Sequence, residues 1–590
     1  MLKLEIDSIP VEVPEGTSVL EAARAAGIKI PTLCYLEKVQ GIGACRVCLV
    51  EIEGHRDLMA SCVMPAADGM VVRTNNQRVR DARRTVVELL LSEHEGDCRT
   101  CERSGNCELE SLARTLGIRE VRYLGERRPR FMDSSTAALV RDSGKCISCR
   151  RCVTVCNEVQ TVGALFPQGR GFSTVIGPAF RSDLDEVACV QCGQCAAVCP
   201  VGAITGKEEI APVWEALDDP DRFVVVQTAP AIRAALGECF GYPPGTRVTG
   251  KMVTGLRRLG FDAVFDTNFS ADLTIMEEGS EFLERLSRAL RDGEAAPLPQ
   301  FTSCCPGWIK FAEYSFPELL PNLSSCKSPQ QMLGAVAKTY YAGRAGIDPD
   351  KITVVSVMPC TAKKFECRRP EMRGSGFQDV DYVLTTRELG RMMNQAGIDF
   401  ASLPESAADS PLGLSSGAAD IFANTGGVME AALRTAYALV TGRSLPGRNL
   451  HVDAVEGLEG VKEAVVPLSG CLPEWSFLEG VELKVAVAHG LGNARRLAEA
   501  VLAGRGGYHF VEVMACPGGC IGGGGQPRIT TDRVRAARMA AIFQEDEGKE
   551  LRMSHQNPEI VEIYEEYLGR PLGEISHRLL HTRYRERSRV

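Results

Sequence analysis

Cysteine placement constrains this chain more than any other feature. Of its 24 cysteines in 590 residues, 19 fall into five groups with ligand-type spacing. A disulfide framework belongs to small secreted domains, whereas clustered Cys-x-x-Cys in a long chain of net charge −9 (67 Lys+Arg against 76 Asp+Glu) points to metal. Thiolates are soft ligands that suit iron–sulfur clusters or zinc. A chain this long should divide into several domains. Its acidic balance argues against a nucleic-acid partner. No run of about 18 apolar residues occurs, so no membrane insertion is expected. The start, Met1-Leu2-Lys3-Leu4, lacks a charged-then-apolar leader, which predicts a cytoplasmic protein. Outside the groups stand Cys239, Cys304, Cys326, Cys367 and Cys471. For Cys239, Cys367 and Cys471 a small buried apolar side chain is the simplest reading.

The first 210 residues carry four of the groups. Leu2 to Asp7 alternates like a strand, and Ser18 three residues before Glu21 reads as a helix cap. Strand, hairpin and helix then lead to Cys34, Cys45, Cys48 and Cys62. This order resembles a β-grasp ferredoxin domain with the longer first gap found in the electron-input subunit of NADH dehydrogenases, and implies a 2Fe–2S cluster; a four-thiolate zinc site is the alternative. A helical stretch from Val79 to Ser92 leads to His94, Cys98, Cys101 and Cys107, spaced His-x3-Cys-x2-Cys-x5-Cys. That spacing resembles the His-ligated 4Fe–4S centre of the same NADH dehydrogenase component and of larger FeFe hydrogenases. Next come Cys146, Cys149, Cys152 and Cys156, then Cys189, Cys192, Cys195, Cys199 and Pro200. In this bacterial two-cluster ferredoxin run the fourth cysteine ligates the other cluster. Cys146, Cys149 and Cys152 therefore pair with Cys199, and Cys189, Cys192 and Cys195 with Cys156. Asn157 stands where the motif usually has proline. Four clusters in series read as an electron wire.

From about residue 220, apolar runs alternate with helical patterns, the mark of an α/β sheet. Three runs end beside notable residues: Phe223–Gln227 before Ala229-Pro230, Ile352–Val357 before Cys360, and His509–Val513 before Cys516. Ligands of open α/β sheets bind beyond the carboxyl ends of strands, so the pattern itself converges on one place.

Three segments, Thr302-Ser303-Cys304-Cys305-Pro306, Met358-Pro359-Cys360-Thr361-Ala362-Lys363-Lys364 and Met514-Ala515-Cys516-Pro517-Gly518-Gly519-Cys520, closely resemble the active-site motifs of FeFe hydrogenases. The resemblance implies that Cys305, Cys360, Cys516 and Cys520 hold the 4Fe–4S half of an H-cluster, with Cys520 bridging to a two-iron half that carries CO, CN and azadithiolate. It places Ala229, Pro230, Met358, Phe422 and Met514 around that half, with core packing an equal reading for Phe422. It implies that Lys363 donates to cyanide, the anionic partner that a buried ammonium needs. In an extended segment neighbouring side chains point to opposite sides, so Cys304 is read as a proton carrier beside the ligand Cys305, helped by the ordinary thiol pKa of about 8.5. Glu278, Glu281 and Arg285 share one helical face, which by itself reads as solvated. By resemblance they form a relay from Cys304 through a water, Glu278, Ser324 and Glu281 to solvent near Arg285.

The fold class implied is multidomain α/β and α+β: a β-grasp 2Fe–2S domain (1–78), a His-ligated 4Fe–4S domain (79–118), a two-cluster ferredoxin domain (138–209), a two-lobed α/β catalytic domain (220–545) and a helical small-subunit-like region (546–590). Histidines of that tail, in Ser554-His555 and Ser576-His577 to His581, are read as structural. The function implied is reversible interconversion of H2 with protons and electrons by an anaerobic-type enzyme. Its cofactors would be one 2Fe–2S cluster, three accessory 4Fe–4S clusters and the H-cluster. Cys326 stands where single-chain clostridial members often carry alanine, and the sequence assigns it no role. No Gly-x-Gly-x-x-Gly strand-to-helix context supplies a flavin or nicotinamide site. Cys326 and the wording of the three active-site motifs favour, as partners, the flavin- and NAD(P)-binding and small Fe–S subunits of a bifurcating complex, with ferredoxin. A stand-alone ferredoxin-dependent hydrogenase and a non-catalytic sensor or Fe–S assembly protein are the alternatives.

Overall fold

Leu2–Ile6 and Ile9–Val13 pair antiparallel across Asp7 and Ser8, both at positive φ, as the tightest hairpin turns require. Leu2–Ile6 also pairs in parallel with Val71–Arg73, so the first and last strands of this five-stranded sheet lie side by side. The helix Val19–Ala25 covers it, closed by the Ser18/Glu21 capping box. In this computed structural model the chain is described throughout except at residues 38, 40, 124–126, 446–452, 455–459, 529 and 589–590.

The helix Gln77–Glu93 leaves this domain and delivers His94 at its carboxyl end. Beyond it, two short helices, Arg151–Thr154 and Gln194–Val198, each follow a left-handed residue, Arg150 (φ 64°) and Gly193 (φ 73°). The repeat gives the two cysteine runs matching local geometry. Asn157 takes the proline position without loosening the turn, because its Nδ2 donates to Leu165 O at 3.1 Å.

Two sheets build the catalytic region. One is wholly parallel, in the order Ala263–Asp266, Phe223–Thr228, Ile352–Met358, Tyr382–Thr385. Its two central strands are Val- and Ile-rich and buried on both faces, as parallel strands under helices must be. The other runs Gln300–Phe301, Phe510–Met514, Glu482–His489, Val461–Pro467, Asp453–Ala454, with its first three strands parallel. The helix Thr267–Leu286 is buried along most of its length between the lobes.

The tail is woven into this core. Asp532–Glu547 packs on the helix Gly417–Asp420, and Glu574–Leu580 packs on Pro329–Val336. No described helix is long and apolar enough to cross a membrane.

Candidate active site and electron path

Four strands end at one cavity. Phe223–Thr228 leads to Ala229 and Pro230, Gln300–Phe301 to Cys304 and Cys305, Ile352–Met358 to Cys360, and Phe510–Met514 to Cys516 and Cys520. The cavity encloses about 740 Å³ not filled by atoms, and its lining includes Cys304, Cys305, Cys360, Cys516 and Cys520 together with Ala229, Pro230, Met358, Phe422 and Met514. Sequence-distant positions thus converge, Phe422 among them. Gly519 permits the approach of Cys520: its φ is +96°, and a Cβ there would lie 2.6 Å from the Thr425 amide nitrogen. A lining of five cysteines and apolar side chains suits a large iron–sulfur group.

Several buried side chains that the sequence did not single out brace this cavity. Arg233 donates to Asp266 at 2.9 Å and to Asp420 at 2.8 Å, tying the Ala229-Pro230 turn to the segment bearing Phe422. Glu512, on the strand before Cys516, accepts from the amides of Gly426 (2.6 Å) and Met429 (2.9 Å).

Lys363 already has an anionic partner. Its Nζ donates to Glu366 Oε2 at 2.9 Å and to Cys304 O at 3.0 Å. Burial opposes its charge, but Glu366 more than offsets this and holds its pKa above the lysine range. Of the three ammonium donors, one remains for the cavity. Glu366 lies one helical turn on from Lys363, an i,i+3 spacing that could have revealed it.

Lining the same cavity does not separate Cys304 from Cys305. Their neighbours do. Ala515 N donates to Cys305 Sγ at 3.4 Å. The Cys304 thiol is pushed well above its ordinary pKa by burial first, and further by Glu278 once that carboxyl ionises. The ordinary thiol value therefore does not apply here, and Cys304 is held protonated.

The face bearing Glu278, Glu281 and Arg285 is not solvated. Glu278 is fully buried and neither carboxyl oxygen has a partner at full hydrogen-bond distance, although the Ser324 side chain and the Ser303 backbone are near enough to favour its ionised form. Burial, and next the Glu281 charge, push its pKa up to about 8. Ser324 Oγ donates to Glu281 Oε2 at 2.7 Å, and Arg285 Nη2 donates to Glu281 Oε1 at 2.7 Å. Glu281 and Arg285 keep 13% and 10% side-chain exposure, marking the outer end of this row.

Toward the amino terminus the cysteine groups form a contiguous series. Cys156, Cys189, Cys192 and Cys195 line a cavity of about 370 Å³, and Cys146, Cys149, Cys152 and Cys199 another of about 430 Å³. Each run lends its fourth cysteine to the other, as the spacing predicts. The first cavity abuts the active site: Gln194 Nε2 donates to Gly522 O at 3.1 Å, Thr361 Oγ1 to Gln191 O at 2.9 Å, and Gln160 Nε2 to Ala515 O at 3.0 Å. Arg103 Nη1 donates to Cys199 O at 3.0 Å, joining the Cys98, Cys101 and Cys107 group to the second cavity. His94 Nδ1 lies 3.0 Å from Lys145 O, which leaves Nε2 for ligation. Of this group Cys98 is exposed, Cys101 partly so and Cys107 buried. Cys34 and Cys45 share one apolar core with Cys149, Cys189 and Cys199, and the thiols of Cys34, Cys45, Cys48 and Cys62 contact one another. Cys367 is buried as expected, but Cys239 and Cys471 are only partly so.

Comparison with known proteins accounts for the whole chain. The C-terminal domain of the iron-only hydrogenase large subunit matches residues 222–524. The chain belongs to the FeFe hydrogenase family. A 2Fe-2S iron-sulfur cluster binding domain matches 1–77, the iron-sulfur binding region of NADH-ubiquinone oxidoreductase G 83–122, a 4Fe-4S dicluster domain 145–203 and the iron hydrogenase small subunit 532–587. The NADP-reducing hydrogenase subunit HndD of Solidesulfovibrio fructosivorans is 54% identical over 100% of both chains. Iron hydrogenase 1 of Clostridium pasteurianum is 39% identical over 99% of this chain and 100% of its own. The structure of the apo FeFe hydrogenase HydA1 of Chlamydomonas reinhardtii aligns with TM-score 0.58 and 47% identity, covering 63% of this chain and 98% of that one.

Proposed function

We propose that this hydrogenase is the hydrogen-converting subunit of an assembly with flavin- and NAD(P)-binding and small Fe–S subunits, exchanging electrons with NAD(P) and ferredoxin by electron bifurcation. The observation that carries this is the end-to-end likeness to a subunit of an NADP-reducing hydrogenase, in a chain with no flavin or nicotinamide motif of its own. In native purification from the source cell, flavin-bearing subunits should accompany the chain. The chain alone should exchange electrons between H2 and ferredoxin or a viologen, but not NAD(P). Unaided NADP reduction, or purification without partners, would overturn this reading in favour of a stand-alone enzyme.

Within the chain, Cys305, Cys360, Cys516 and Cys520 would hold the 4Fe–4S half of the H-cluster, and Ala229, Pro230, Met358, Phe422 and Met514 would wall the two-iron half. When bound, this group supplies the redox chemistry that interconverts H2 with protons and electrons. Lys363, held by Glu366 and Cys304 O, would keep one donor for a cyanide of that group. The amino-terminal cysteine groups would hold one 2Fe–2S and three accessory 4Fe–4S clusters, which would supply electron transfer between that part of the chain and the cavity. The division at 1–78, 79–118, 138–209, 220–545 and 546–590 follows these units.

Proton movement belongs to the protein. The Cys304 thiol holds a proton beside the cluster and passes it through a water to Glu278. From there it moves by Ser324 to Glu281, and leaves beside Arg285. The Ser324–Glu281 hydrogen bond and the orphaned Glu278 carboxyl support this order.

The accessory sites carry mainly local ligands, which predicts modular assembly. Cys98→Ser should remove one accessory cluster while the carbonyl and cyanide infrared bands of the H-cluster persist. Disappearance of those bands in the variant would contradict modularity.

A further inference from the structure

We propose that Glu281, Cys326 and His581 form a binding site for a borderline-soft divalent cation such as Zn2+, and that filling it closes the proton relay at Glu281.

The three side chains come from distant parts of the chain and meet inside the protein. Cys326 and His581 belong to segments joined as a single antiparallel β-bridge, with Lys327 N donating to Leu580 O and Thr582 N to Ser325 O, both at 2.7 Å. Their backbone positions are therefore set. Cys326 Sγ lies 4.0 Å from His581 Nδ1 and 3.9 Å from Glu281 Oε2, and the three ligand atoms lie within 4.8 Å of one another. Zinc–ligand bonds of about 2.0–2.3 Å in a tetrahedron separate ligands by about 3.4–3.6 Å. Small side-chain rotations bring these atoms to that spacing. Sulfur, imidazole nitrogen and carboxylate oxygen are a zinc-type donor set, with the fourth position open to water.

The surroundings of His581 favour a ligand role over simple packing. Its Nε2 lies 3.0 Å from Glu277 Oε2, and Glu277 is itself held by Tyr564 OH (2.5 Å) and Leu572 N (2.8 Å). With the proton on Nε2 toward this carboxylate, the tautomer in which Nδ1 offers its lone pair faces Cys326 and Ser325, whose Oγ lies 2.8 Å away. A carboxylate behind a histidine is the usual support of a metal-bound imidazole. Glu277, Glu278 and Glu281 face Cys326 and add negative potential; Arg285, bound to Glu281, opposes them. On binding, Cys326 releases its proton to solvent and its thiolate ligates the cation. Glu281 Oε2 is the oxygen that accepts from Ser324, so a cation there removes the acceptor on which the relay depends.

The inhibitory half of this proposal rests on the relay reading; the binding half does not. The purified holoenzyme is titrated with buffered Zn2+, reading bound zinc by equilibrium dialysis and H2 turnover with a viologen. Wild type should bind one zinc at this site and lose turnover, with recovery on adding EDTA. Mg2+ should do neither. Loss of a mere outer-shell partner costs about 10–100-fold in metal affinity, so Cys326→Ala should raise the inhibiting concentration by at least about 100-fold, read against that variant's own zinc-free turnover. His581→Gln should also lose the bound zinc. Equal sensitivity of wild type and both variants, or inhibition that EDTA cannot reverse and that releases iron, overturns the site. Zinc bound and lost in the variants without any inhibition overturns the closure. The turnover of Glu281→Gln without zinc then tells whether the relay reading has failed with it.

Discussion

Cys304→Ala should keep its iron and its carbonyl and cyanide infrared bands, yet lose turnover in both directions by a factor of about 10²–10⁴, the usual cost of a positioned acid or base. The proposed ligands Cys305, Cys360, Cys516 and Cys520 are untouched by it. What disappears is the thiol between the cavity and Glu278. Serine at 304 should also be poor, because a hydroxyl releases its proton far less readily than a thiol; aspartate should restore part of the rate. A variant that loses the cluster would make Cys304 a ligand. One with near-normal turnover would mean that protons travel elsewhere.

Glu278→Gln should cost a comparable factor of about 10²–10⁴, because a relay stops at any missing link. The amide fills the same buried space but cannot take up and pass on a proton. Its parent carboxyl, pushed up to about 8 by burial and Glu281, is neutral and proton-loaded at pH 7. Hydrogen evolution by the wild type should therefore decline as pH rises through about 8, and the pH–rate profile reads this directly. The stability linkage has the same sign. A carboxyl whose folded pKa lies above its unfolded value contributes stability fully below the unfolded pKa and loses it as pH rises through about 8. A wild-type profile flat from pH 6 to 9, or a Glu278→Gln variant of normal rate, would remove Glu278 from the path.

Local spacing decided a great deal. Cysteines two or three residues apart must share a neighbourhood whatever the rest of the chain does, so the ferredoxin groups were legible, including the exchanged partners Cys156 and Cys199. Strand periodicity brought Cys360 and Cys516 to one end of their sheets for the same reason: a strand's carboxyl end is where its chain emerges. The helix carrying Glu278, Glu281 and Arg285 was legible, but its environment was not. Charge pattern suggested water, and only the packing of Thr267–Leu286 between two lobes makes Glu278 a buried acid. Cys304 and Cys305 line the same cavity, and which neighbours each meets there depends on how the elements dock. Glu366 as the partner of Lys363, and the bracing by Arg233 and Glu512, depend on where separate elements dock. His581 is the extreme case, 256 residues from the Ser325 it faces. In the sequence it is one of several tail histidines. Its place beside Cys326 and Glu281 comes from a single β-bridge and a buried carboxylate, long-range contacts that no local periodicity encodes.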